Sequence, residues 1–84
     1  MEYKHISQAG THVVKAKRGL LKRIVLNKTD NGAITIYDNA TGEGNVIGIL
    51  KASVAEQTFE YGNDFWNGLV IKTAAASDLT IIFE

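Results

Sequence analysis

The chain contains no cysteine and no proline. The first absence excludes disulfide staples, thiolate metal sites and a cysteine nucleophile. The second leaves glycine as the main punctuation of the chain. An excess of charge is also missing, because nine basic residues face nine acidic ones. That balance argues against a generally basic coat for nucleic acid and against a strongly acidic mimic of it. Uninterrupted apolar runs are only a few residues long, too short for a membrane span. The opening Met1-Glu2-Tyr3-Lys4-His5 lacks the apolar centre of a signal peptide. With 84 residues, two separate cores would have about 40 residues each, below the usual limit for an unstapled core. Residues 1–84 are therefore read as a single β domain, with 1–10 a flexible or edge segment at its start.

What is present points to strands. The hydrophobic fraction is 45% and the charged fraction 21%, a globular composition. Eight glycines mostly fall between short runs rich in β-branched residues, where they punctuate turns. Ile34 and Ile36 alternate with Thr35 and Tyr37. Leu79, Ile81 and Phe83 alternate with Thr80 and Ile82. In the longest run, period two puts Leu20, Ile24 and Leu26 on one face and Leu21 and Val25 on the other. Gly48 inside Val46–Lys51 marks a bulge or a close backbone approach. Two stretches with some helical character, Lys51–Gln57 and Thr73–Ser77, are too short to count as helices and are read as loops. Asn31-Gly32 predicts a hairpin turn. The Asx residues Asp38 and Asn39 predict a tight loop after Tyr37. The expected fold is all-β: an antiparallel β-sandwich or jelly-roll-like small barrel of about seven short strands.

Charge is unevenly distributed. Seven cations against Glu2 alone give residues 1–28 a net charge of +6, and the remainder carries −6. Such polar halves can attract copies of the chain or offer two faces to different partners. The simpler expectation is that neighbouring strands neutralise each other across a sheet. Lys15, Lys17, Arg18, Lys22 and Arg23 form a cluster able to touch phosphate or an acidic partner. No aromatic residue interleaves with it, so a base-stacking platform is not suggested; a solvated turn is the simpler reading, and a nucleic-acid contact is kept only as a third. Tyr61, Phe65 and Trp66 could stack on a sugar or form an interface, although core or corner packing explains such rings equally simply. Asp38–Asn45 lacks the alternating ligands of a calcium loop. His5 and His12 lack the companions of a zinc site or a catalytic triad. No catalytic, cofactor-binding or metal residue is therefore assigned, and the chain is expected not to be an enzyme.

Four ordered segments carry a resemblance: Gly19-Leu20-Leu21 with Ile24-Val25-Leu26, Ile34-Thr35-Ile36-Tyr37-Asp38-Asn39-Ala40, Gly68-Leu69-Val70-Ile71, and Asp78-Leu79-Thr80-Ile81-Ile82-Phe83. Together they resemble small virion proteins of tailed bacteriophages and prophages, over about residues 10–84. The resemblance implies a non-enzymatic structural protein, a head decoration or a tail or fibre component. Such a protein would be made in the bacterial cytoplasm, reside in the virion and contact other virion proteins. Self-assembly as a homo-oligomer, a trimer or hexamer, would bury area that a small β domain lacks. Ile82, on the second apolar face of the last strand, is the expected contact with a neighbouring copy. The alternative reading is a small carbohydrate- or protein-binding β module using Tyr61, Phe65 and Trp66.

Overall fold

The computed structural model describes residues 1–41 and 44–84. It contains eight strands: β1 (Glu2–Ile6), β2 (Gly10–Lys15), β3 (Gly19–Lys28), β4 (Ile34–Asp38), β5 (Val46–Leu50), β6 (Thr58–Phe65), β7 (Leu69–Thr73) and β8 (Asp78–Phe83). They form two four-stranded sheets, ordered β1-β8-β3-β6 and β2-β7-β4-β5. Every pairing is antiparallel. The chain behaves as one long hairpin: β1 pairs with β8, β2 with β7, β3 with β6 and β4 with β5. This ribbon is rolled so that β3 also meets β8 and β4 meets β7. That is the strand order of a jelly roll, the sandwich built from two Greek keys.

The eighth strand is β1, within the segment read as flexible or edge. It is an edge strand held by β8. Its Glu-Tyr-Lys-His-Ile sequence has no apolar alternation, so periodicity alone does not reveal it. Asn31-Gly32 does not close a hairpin. It carries the chain from β3 in one sheet to β4 in the other. Only β4 and β5 are both consecutive in sequence and paired; every other connection passes between the sheets. Lys51–Gln57 and Thr73–Ser77 contain no helix.

The core lies between the sheets. Leu21, Ile24 and Leu26 of β3, Leu79 and Ile81 of β8, and Phe65 of β6 face Ile34 and Ile36 of β4 and Leu69 and Ile71 of β7. Strict period two would place Leu21 opposite to Ile24. The ladder slips between Leu21 and Arg23 on both flanks of β3, and that bulge turns Leu21 to the same face as Ile24 and Leu26. On the β6 side the irregularity includes Gly62, whose φ of 66° is a left-handed value that a side chain would strain. Gly48 combines both features expected of it. The β4–β5 ladder slips beside it, and a Cβ on Gly48 would stand 2.8 Å from the Tyr61 hydroxyl oxygen. The missing side chain makes room for the Tyr61 ring, which packs on the core together with Phe59. The radius of gyration, 11.3 Å, matches the ~12 Å of a compact chain this long, so none of the strands projects as an arm.

Candidate functional site

Among the described residues, the surface carries no concave pocket and no group of three or more His, Asp or Glu residues placed to hold a metal. His5 and His12 lie on β1 and β2, in different sheets. The surfaces available for function are the two outer sheet faces and the loop ends.

The outer face of β2-β7-β4-β5 is the more apolar. Register places Val13, Val70, Tyr37 and Val46 in one row across its four strands. The adjoining row is Thr11, Lys72, Thr35 and Ile49. Ile49 is 63% exposed, and Val13 and Val46 are also exposed. Val70, flanked by Val13 and Tyr37, is fully buried although it points away from the core. Lys72 is the one charged side chain in these two rows, and its ammonium lies 6.0 Å from the centre of the Tyr37 ring. Val46 and Ile49 sit on β5, an edge strand. An exposed apolar edge of this kind is a template for association unless a partner covers it. Sequence reasoning missed this surface, though β5 carried its signal: Val46, Ile47, Ile49 and Leu50 are apolar on both faces of the strand.

The outer face of β1-β8-β3-β6 is mixed. Arg23 Nε donates to Glu60 Oε2 at 3.1 Å across β3 and β6. His5 Nε2 lies 2.6 Å from Asp78 Oδ1, and Asn27 donates to the same oxygen at 3.0 Å. These two bonds, with the His5 and Lys28 charges, hold the Asp78 carboxyl below its ordinary value. Lys22 pairs with Glu84 at 3.0 Å and lowers that carboxyl in the same way. Cations from the first 28 residues thus meet acids from later strands across the sheet, as the simpler reading of the charge halves expects. Ile82 does lie on this outer face, half-buried between Tyr3 of β1 and Arg23 of β3.

The basic cluster is therefore divided. Lys22 and Arg23 are engaged in ion pairs within the strands. Lys15, Lys17 and Arg18 remain together at the β2–β3 turn, where they make no ion pair among the described residues. The aromatic trio is also divided. Phe65 is 0% exposed and belongs to the core, which corrects its assignment as a contact residue: the strand's inward face takes the ring. Tyr61 is half-buried against Gly48, and burial pushes its phenol pKa up. Trp66, the next residue after Phe65, is 57% exposed. A row of three sugar-stacking rings does not exist. Instead, the fold brings Trp66 to the basic turn, with the Arg18 guanidinium 4.2 Å from the ring centre. Asp38 at the end of β4 orders the Trp66 turn, its Oδ1 accepting hydrogen bonds from the backbone amides of Trp66 and Asn67, both at 2.9 Å. Asn39 Oδ1 accepts from the Thr41 amide at 2.7 Å, the Asx turn its sequence predicts. Gly42 and Glu43, in the same loop, lie outside the described residues.

The fold and its surfaces define a small jelly-roll module with one apolar outer face and a basic, aromatic loop end. No protein-family model matches the chain, and no curated protein matches it. Among solved structures it is similar to the Drosophila NLP core, a structure described for its insight into pentamer formation and histone binding. The TM-score is 0.58 at 12% identity, over 100% of this chain and 98% of that one. A likeness at this identity is one of fold. It also corrects the virion reading: the similar structure is described for pentamer formation and histone binding, with no link to bacteriophage heads, tails or fibres. The segments that suggested virion proteins are strand patterns, and the structure shows that they encode the sandwich.

Proposed function

We propose that this chain is a non-enzymatic protein-binding β module that self-associates through the outer face of β2-β7-β4-β5. The observation that carries the reading is the apolar row Val13, Val70, Tyr37 and Val46, extended by Ile49, which crosses all four strands with one lysine beside it. The Drosophila NLP core, of similar fold over its length, forms a pentamer, which supports a second copy of the chain as the partner for this face. It makes a closed ring of five the copy number to test first. The trimer or hexamer was tied to the virion resemblance and falls with it. An 84-residue domain buries only about 60–65% of its unfolded surface, and association adds to that.

The test is the solution mass, measured by light scattering on a sizing column at two concentrations. A discrete oligomer that persists on dilution is expected, and Ile49→Arg is expected to reduce it to monomer while leaving the circular dichroism spectrum unchanged. A wild-type monomer at both concentrations, or an Ile49→Arg oligomer of undiminished mass, overturns the reading.

A further inference from the structure

We propose that the β2–β3 and β6–β7 turns form a docking site for a carboxylate-rich polypeptide segment, centred on the Arg18–Trp66 contact. The site is distinct from the self-association face, being at the loop end of the sandwich.

The guanidinium carbon of Arg18 lies over the indole of Trp66, 4.2 Å from the ring centre, a cation–π contact. Arg18 makes no side-chain hydrogen bond or ion pair among the described residues. Its in-plane N–H donors are therefore free to hold a carboxylate in bidentate fashion, and the contact has already removed part of the side chain's freedom. Lys17 and Lys15 on the same turn add positive charge. Two nearby carboxylates are already occupied. Asp38 accepts from two backbone amides, and Glu84 pairs with Lys22, with Lys15 adding to the lowering of its pKa. The turn is also rigid where it must be, because the Asp38 cap holds the backbone at Trp66 and Asn67. The exposed indole offers apolar surface to an aliphatic side chain beside the bound acid.

A nucleic acid fits less well. Single strands are held by a track of cations and several successive stacking rings. Here one exposed ring stands at the turn, and a guanidinium already lies over it.

Trp66 is the only tryptophan, so intrinsic fluorescence reports the site directly. The experiment titrates the full chain with a short Glu-rich peptide, a Lys-rich peptide of equal length and a single-stranded oligothymidylate, each followed by fluorescence and by calorimetry. The expected result is saturable binding of the Glu-rich peptide, none of the Lys-rich one, and a loss of about tenfold or more in affinity for Arg18→Gln, as removal of a charge-assisted bond implies. Asp38→Ala, which leaves every cation in place but frees the Trp66 turn, is expected to weaken binding by a smaller factor. Absence of both fluorescence change and heat with the Glu-rich peptide overturns the proposal, as does unchanged affinity in Arg18→Gln. Tighter binding of the oligonucleotide than of the peptide also overturns it and assigns the site to nucleic acid.

Discussion

Phe65 and Trp66 are adjacent aromatic residues, yet truncating each to alanine is expected to have very different consequences. Phe65 is 0% exposed and belongs to the same core cluster as Leu21, Ile24 and Leu69. Its ring lies so close to Gly19 that a Cβ there would stand 2.6 Å from the ring's tip. Phe65→Ala should therefore cost about 3–5 kcal/mol, the usual penalty for emptying a well-packed aromatic site. At ~0.05–0.15 kcal/mol per residue, a chain of this length has roughly 4–13 kcal/mol in total, so this one change removes a large share. The melting temperature should fall by about 12 °C or more. Trp66 is 57% exposed and its clearest contact is the Arg18 guanidinium. Such an exposed cation–π contact contributes about 0.5–1 kcal/mol, and Trp66→Ala should cost no more than that. Urea unfolding followed by circular dichroism measures both without relying on tryptophan emission. Protomer concentration is held constant because association makes stability depend on it. A Phe65→Ala penalty below ~1.5 kcal/mol, or penalties of equal size for the two variants, would refute the placement of these rings.

Gly48→Ala should destabilise by about 1–2 kcal/mol through overpacking, since the new methyl would press on the Tyr61 hydroxyl and ring. In a Tyr61→Phe background, where the nearest contact atom is gone, urea melts should show a smaller penalty. An equal penalty in both backgrounds would disprove the cause. The Asp78 carboxyl is held below its ordinary value chiefly by His5 and Asn27, so the folded state holds its proton more weakly than the unfolded one. Its contribution is complete above the unfolded value, near pH 4, and is lost as pH falls through the lower folded value. Asp78→Asn should therefore be less stable than the natural chain at pH 6, and the gap should narrow as pH falls below the unfolded value. A stability gap that does not narrow on acidification would show that the residue acts by some means other than its charge.

Local patterning along the chain specifies the secondary structure class and much of which side chain faces inward. Alternation in Ile34–Asp38 and Asp78–Phe83 placed Ile34, Ile36, Leu79, Ile81 and Phe83 in the core, where they are. The Asx signal at Asn39 was readable because its hydrogen bond reaches only two residues along the chain. Strand pairing was not readable in the same way. Asn31-Gly32 encodes a reversal of direction, but whether the next strand pairs with the last one or crosses to the other sheet depends on what else that sheet needs to bury. Leu21 joined Ile24 because a bulge shifted the phase, and that bulge appears only in the pairing of β3 with β6 and β8. The tertiary structure alone decided that Phe65 would be buried and Trp66 left outside. It alone carried Arg18 across 48 positions of sequence to the Trp66 ring, and lined up Val13, Val70, Tyr37 and Val46 from four strands into one apolar row. Periodicity and turn chemistry act over a few residues, whereas these surfaces arise from register between strands that are distant in the chain.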